Sequence, residues 1–354
     1  MYRVEENINY LRPYHDFMCD ILKALRKSLK ENVNYSKEDL SENLIQINPN
    51  VSTFISRGNF LDNIYKLKDS PVDLWKEYGA FVRRYKSILH GKWKGSSELT
   101  NDSNREIKKV LIFFYEHLMN YKTLNEAFFH TPSSLANFRA IMSLNRICPY
   151  CDMNKINKEL VSVDHFLPKG SFPILSIYPE NLIVSCKGCN ENIKGENIKI
   201  PIAHPYYEEV ANYFTFRIND SDSSQFKIDV RMHDDNSNVM NKKIENFLSL
   251  FEIKDRYEVN MTAELIDFRN DIRKKAIAEL EGIAQGRSIS HMDIEECTKK
   301  YFQKAFIDNK KLQRAVDGTK IKNDYVNQII EGDEFQSDIE YIESYFGGLR
   351  SILI

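Results

Sequence analysis

Cys148-Pro149-Tyr150-Cys151 and Cys186-Lys187-Gly188-Cys189 frame the middle of this chain. Between them run Ser162-Val163-Asp164-His165-Phe166-Leu167-Pro168-Lys169 and Asn181-Leu182-Ile183-Val184-Ser185, and Asn190 directly follows the last cysteine. Four thiols in two tight pairs are the ligand set of a closed tetrahedral zinc site, because a Cys-x-x-Cys turn puts two sulfurs on one metal without strain. The 34 residues between the pairs exceed what a compact zinc ribbon holds, so this insert must fold. Pro149, Pro168, Pro173, Pro179 and Pro201 disfavour a long helix there. Leu160-Val161-Ser162-Val163 alternates and is β-branched, which predicts a strand leading into Asp164-His165. Leu182 to Ser185 predicts the returning strand, and Cys189 to Lys194 the start of a short helix.

An acid, a histidine and two asparagines inside that frame are the parts of a phosphodiesterase. Cleaving a phosphodiester takes an activated water, a cation to neutralise charge, and placement of both. A neutral imidazole takes a proton from water near pH 7. Carboxylate and amide oxygens are hard donors suited to magnesium or manganese. Asp164 and His165 are adjacent at a strand end, so their side chains diverge, one towards a metal and the other towards water. Asn190, at the helix start, can come back across the strands to complete the metal site. Asn181 can fix the loop and orient His165.

These stretches together resemble the HNH endonucleases of the ββα-metal fold, in their zinc-bound form. The resemblance covers about 50 residues of 354. It implies His165 as general base, Asp164 and Asn190 as ligands of a catalytic Mg2+ or Mn2+, Asn181 as the middle asparagine of the signature, and Cys148, Cys151, Cys186 and Cys189 as the structural zinc site. The last signature position is Asn190 rather than histidine, as in the H-N-N variant. A lysine commonly follows that position by three residues, whereas Lys194 follows Asn190 by four, which leaves Asn192 as a second candidate ligand. His204-Pro205-Tyr206-Tyr207 is similar to a segment that follows the nuclease core in some bacterial defence proteins, or is a packed turn closing the unit. The likeness is to antiphage effectors that work beside a partner ATPase, such as those of Septu-type or retron systems. It implies DNA cleavage in antiphage defence. An RNA-cleaving toxin and a non-catalytic, zinc-stabilised nucleic-acid-binding module are the alternatives.

The flanks are expected to be helical, giving an α+β protein: a helical region 1–145, the nuclease unit 146–204, and a strand pair followed by helices in 205–354. Phe17, Ile21, Leu25 and Leu29 recur every four positions and predict one buried helix face. A helix is expected over Val72 to Ser87. The apolar run Val110 to Tyr115 reads as helix or strand, and Thr131-Pro132 as a helix start. Tyr213 to Ile218 and Phe226 to Arg231 alternate like paired strands, joined by a polar loop from Asn219, and the pattern is helical again from Val239.

Net charge is −2, so a nucleic-acid partner must be met by a local basic face. Phe81 to Val110 and Lys299 to Lys322 each hold eight Lys/Arg, against three and two acids, and acids without a base fill Glu331 to Glu343. Arg83, Arg84, Lys86, Lys92 and Lys94, interleaved with Tyr85 and Trp93, read either as a phosphate grip with stacking rings or as a snorkelling helix end. His15, His90, His117, His130, His233 and His291 lack a partner motif and read as surface or satisfied core residues. No long apolar run predicts a membrane span, and the paired free thiols suit the reducing cytoplasm. No P-loop motif is present, so a requirement for ATP would fall to another chain.

Overall fold

The computed structural model describes residues 11–117 and 146–352, apart from residues 33, 54, 56–58, 96–98, 100–103, 158–159, 220–225 and 312–316. The helix start expected at Thr131, His130 and most of the loop after Asn219 lie outside these residues. The described chain is mostly helical, with three two-stranded antiparallel sheets.

The N-terminal part holds α1 (Arg12–Glu31), α2 (Lys37–Ile47), α3 (Phe60–Tyr65), α4 (Leu74–Leu89) and α5 (Arg105–Glu116). Phe17, Ile21 and Leu25 are buried as the four-residue spacing predicts, but Leu29 is 42% exposed near the helix end. Helix α4 starts at Leu74 rather than Val72 because the Asp73 carboxylate accepts the Lys76 N–H (3.1 Å) and caps the first turn. The run Val110–Tyr115 is helical, within α5.

The central segment opens with the two-residue strands β1 (Arg146–Ile147) and β2 (Lys155–Ile156), which close a knuckle around the first cysteine pair and had no signal in the sequence pattern. Strands β3 (Val161–His165) and β4 (Leu182–Cys186) form a hairpin in the register Val161↔Cys186 to His165↔Leu182. Every residue of both strands is buried. The helix after β4 is a π-helix, Gly188–Lys194. β5 (Phe214–Asn219) then pairs with β6 (Lys227–Met232). Helices α6 (Asn238–Leu250), α7 (Ile253–Asn260), α8 (Thr262–Ala284), α9 (His291–Lys311), α10 (Thr319–Glu331) and α11 (Glu334–Ile352) follow.

One continuous apolar core runs from Leu11 through the β3–β4 hairpin to Ile329, and a smaller cluster around Leu280, Ile294 and Ile342 joins α8, α9 and α11. The hairpin is thus wedged between the helical flanks. On one side Tyr85 of α4 reaches Asn181, and the Ile202 N–H meets the Leu89 carbonyl (2.9 Å). On the other, Tyr150 stacks on Phe251 with ring centroids 4.1 Å apart, and the Tyr257 hydroxyl donates to the Cys151 carbonyl (2.6 Å). No helix of the described residues is long and apolar enough to cross a membrane.

Candidate metal centre and hairpin site

The β1–β2 knuckle delivers the first two thiols. The Cys148 N–H donates to the Asn154 carbonyl (2.8 Å), the Asp152 N–H returns to the Cys148 carbonyl (3.0 Å), and Asp152 takes a left-handed φ of 57° to close the turn. The end of β4 and the first turn of the π-helix deliver Cys186 and Cys189. All four side chains are buried, and their sulfurs lie within 4.8 Å of one another. A tetrahedron with Zn–S bonds of about 2.3 Å needs sulfurs about 3.8 Å apart, so the cage has the size of a zinc site.

The surroundings suit thiolates. Backbone N–H groups of Cys186 and Cys189 point at the sulfurs of Cys148 and Cys186 (both 3.4 Å), the Asn154 amide reaches Cys186 (3.5 Å), and the Arg256 guanidinium reaches Cys189 (3.3 Å). Four thiolates around a divalent ion leave two negative charges, and Arg256 offsets part of that excess. The residues present fit zinc, and no other group of three or more His, Cys, Asp or Glu side chains is close enough to hold a metal among the described residues.

Alternation along β3 divides the second constellation between two faces. Ser162 and Asp164 face the π-helix. The Asn190 amide donates to the Ser162 hydroxyl (2.7 Å), while Asn192 is exposed. The Asp164 carboxylate is 2% exposed and both its oxygens are engaged: Oδ1 meets the Lys194 ammonium at 2.8 Å, and Oδ2 accepts the Tyr150 hydroxyl at 2.7 Å. Lys194 also donates to the His165 carbonyl (2.8 Å). Burial pushes the Asp164 carboxyl above the usual carboxylate range, against the pull of Lys194 and Tyr150.

The π-helix explains how a lysine four residues after Asn190 reaches this place. The Gly195 N–H closes on the Asn190 carbonyl (2.8 Å), an i→i+5 bond. The wider turn carries four residues through less than a revolution, as three residues travel in an α-helix. Gly195 then ends the helix at φ 49°, ψ −125°, a conformation that only glycine adopts without strain.

His165 lies on the other face of β3. Its Nε2 is 2.8 Å from the Ser176 carbonyl, which can only accept, so Nε2 carries the proton. Nδ1 is then a lone pair with no hydrogen-bond partner among the described residues. The ring meets Tyr115 of α5 edge-on at 4.3 Å. Burial pushes the imidazole down to about 3, so it is neutral at neutral pH.

Asn181 is a loop clamp. Its Oδ1 accepts from the Leu167 N–H (2.8 Å) and the Tyr85 hydroxyl (2.9 Å), and its Nδ2 donates to the Leu167 carbonyl (3.0 Å). It fixes the loop as expected, but the Ser176 carbonyl, rather than Asn181, orients His165. His204 extends this clamp. Its Nδ1 accepts the Tyr206 N–H (3.2 Å), which leaves Nε2–H to face the Tyr85 hydroxyl (3.3 Å). The histidine is fully buried, and desolvation pushes it down to about 3. His204-Pro205-Tyr206-Tyr207 is therefore a packed turn.

Sequence reasoning missed Tyr150, Ser176, Tyr115 and Arg256. Tyr150 sits inside the Cys-x-x-Cys turn and could have been singled out as a partner for Asp164. The other three are brought in by tertiary packing, and no local signal marks them.

Comparison with known proteins gives partial matches. Protein ea31 of Escherichia phage lambda is 32% identical over 74 residues, 20% of this chain and 24% of that protein. Septu protein PtuB of Bacillus thuringiensis is 29% identical over 134 residues, 34% of this chain and 51% of that protein. The chain thus spans about a quarter and about half of the lengths of these relatives. No family model and no solved structure matches. The chain is similar, over about a third of its length, to a Septu protein, and it carries a buried four-cysteine cluster.

Proposed function

We propose that this protein is a zinc-stabilised nuclease of the HNH type that hydrolyses DNA phosphodiester bonds, acting in antiphage defence alongside a partner protein. The observation that carries the reading is the state of His165: a neutral imidazole at the end of a rigid hairpin, with Nε2–H committed to the Ser176 carbonyl and Nδ1 unpartnered among the described residues. That is the tautomer and orientation a general base needs. Entry of solvent and of an anionic phosphate beside the ring reverses part of the desolvation and raises its basicity. The four-cysteine cluster, when loaded with zinc, supplies rigidity at the far end of β4 and takes no part in the chemistry. The similarity to Septu protein PtuB supports the defence setting.

A catalytic Mg2+ or Mn2+ on Asp164 and Asn190 does not fit the arrangement as it stands, because Lys194 and Tyr150 occupy both carboxylate oxygens. The same observation favours a second reading, a non-catalytic zinc-stabilised module in which the Asp164–Lys194 pair is structural.

The two are separated by incubating the wild-type protein and His165→Ala with supercoiled plasmid, linear duplex, single strands and RNA, with and without Mg2+ or Mn2+. The nuclease reading expects DNA cleavage by the wild type and at least a hundredfold loss in a variant that keeps its zinc. Equal cleavage by both proteins removes His165 as the base, and no cleavage by either under any condition supports the module.

A further inference from the structure

The exposed side of α4 and the turn that follows it carry five cations, Arg83, Arg84, Lys86, Lys92 and Lys94. None of the five forms an ion pair with a described carboxylate. A lysine near a helix C-terminus offsets the helix dipole, which accounts for Lys86 but not for five charges in twelve residues. In a chain of net charge −2 this is a local concentration of uncompensated positive charge.

The opposite side of the same helix is bolted to the hairpin loop. Tyr85 is buried and bonds Asn181, and the exposed Lys86, which borders both sides, lies 4.2 Å from the centroid of the Tyr207 ring, itself bonded to Glu180. Phe81 packs against Phe172 in the same loop. A polyanion held on the outer face of α4 is therefore held in fixed register with the loop between β3 and β4.

The aromatic residues decide what kind of polyanion fits. Tyr85 is 1% exposed, and Trp93 is already engaged by Phe81 (centroids 4.9 Å apart) and by the Arg84 guanidinium (5.2 Å). Tyr85 is thus closed to a base, and Trp93, half-buried, is already packed against Phe81 and Arg84, so no row of open rings lines the cations. Charge without a stacking platform suits a duplex, whose bases are already stacked and whose phosphates face outward.

We propose that the outer face of α4 and its following turn is a docking surface for the phosphate backbone of duplex DNA. The choice of DNA rests on the nuclease reading, whereas the location of the surface rests on the charges alone.

The test is fluorescence-anisotropy binding of full-length protein to a labelled 30-base-pair DNA duplex across a KCl series, without added divalent metal and in the His165→Ala background so that no cleavage intervenes. The variant Arg83→Gln/Arg84→Gln/Lys86→Gln/Lys92→Gln/Lys94→Gln, checked for native zinc content and circular dichroism, is expected to bind at least about thirtyfold more weakly at 100 mM KCl. Its plot of log affinity against log salt should be shallower by up to about 4.5, since each of the five lost phosphate contacts removes about 0.9. Lys274→Gln/Lys299→Gln/Lys304→Gln, on α8 and α9, should leave the slope unchanged. Equal affinity and slope for the five-site variant and its parent overturn the proposal, as does failure of the parent to bind duplex DNA. Tighter binding of an RNA duplex or a single strand through the same five residues overturns the DNA assignment. Charge-dependent binding without cleavage in the plasmid assay would leave this surface standing and remove the nuclease reading.

Discussion

Lys194→Met removes one ammonium while keeping the length and bulk of the side chain, and the surroundings set the magnitude of its effect. Lys194 and Asp164 are 1% and 2% exposed, their charged atoms are 2.8 Å apart, and the ammonium also holds the His165 carbonyl at 2.8 Å. Breaking a buried pair from one side leaves an uncompensated charge and costs about 3–5 kcal/mol. The Tyr150 hydroxyl still solvates one oxygen of Asp164, which places the expectation near 3 kcal/mol. At about 2 °C per kcal/mol for a chain of this size, the thermal midpoint should fall by roughly 6 °C. Asp164→Asn/Lys194→Met should recover most of the loss, because Tyr150 can donate to the amide oxygen and no buried charge remains. The sign of the pH effect follows from the Asp164 carboxyl, whose folded pKa burial already raises. A raised carboxyl favours the folded state at low pH and loses that contribution as pH rises through the folded value. Without Lys194 the deficit should therefore be larger at pH 8 than at pH 5. Urea and thermal denaturation at both pH values measure this, with zinc content checked in parallel. A single variant within 1 kcal/mol of wild type, or a double variant no more stable than the single, would refute the view that this pair locks the π-helix to β3. Millimolar Mn2+ adds a discriminating arm: if Asp164 can accept a divalent ion once the lysine is gone, Mn2+ will stabilise Lys194→Met and leave wild type unchanged.

The purified protein should hold about one zinc per chain by elemental analysis, and Cys148→Ser should lose it and unfold at lower temperature, because three thiols do not close the cage. His204 is pushed down to about 3 by burial, against an ordinary value of 6.5. The unfolded chain thus binds a proton that the native state refuses, and the stability His204 contributes is present above about pH 6.5 and lost as pH falls towards 3, by up to about 5 kcal/mol. Acid titration of the thermal midpoint should be less steep for His204→Gln than for wild type in that window, and identical slopes would show that His204 is not buried in its neutral form.

Much of the central unit was legible because its signals are local. The β-branched alternation placed β3 and β4 to within a residue at their ends, and the polar-apolar alternation at 213–218 and 226–231 placed β5 and β6. The thiol spacing located the candidate metal cage, and the cap at Asp73 moved the start of α4 by only two residues. Leu29 failed because periodicity says which face a residue shares but not how far along the helix the neighbouring elements reach. The run 110–115 was ambiguous because a short apolar stretch has no period of its own.

The sequence by itself determined which chemistry is present: four thiolates at metal-ligand spacing, an adjacent acid and imidazole, and amides at hairpin positions. Spacing along the chain fixes local turns, and these residues are brought into play by local turns. Only the tertiary structure decided which groups are free to act. It occupied the Asp164 carboxylate with Lys194 and Tyr150, left Nδ1 of His165 without a described partner, sank Tyr85 into the core and set Trp93 against Phe81 and Arg84. Those outcomes depend on partners distant in sequence and on a one-residue widening of a helix, and neither is encoded in the periodicity of any single segment.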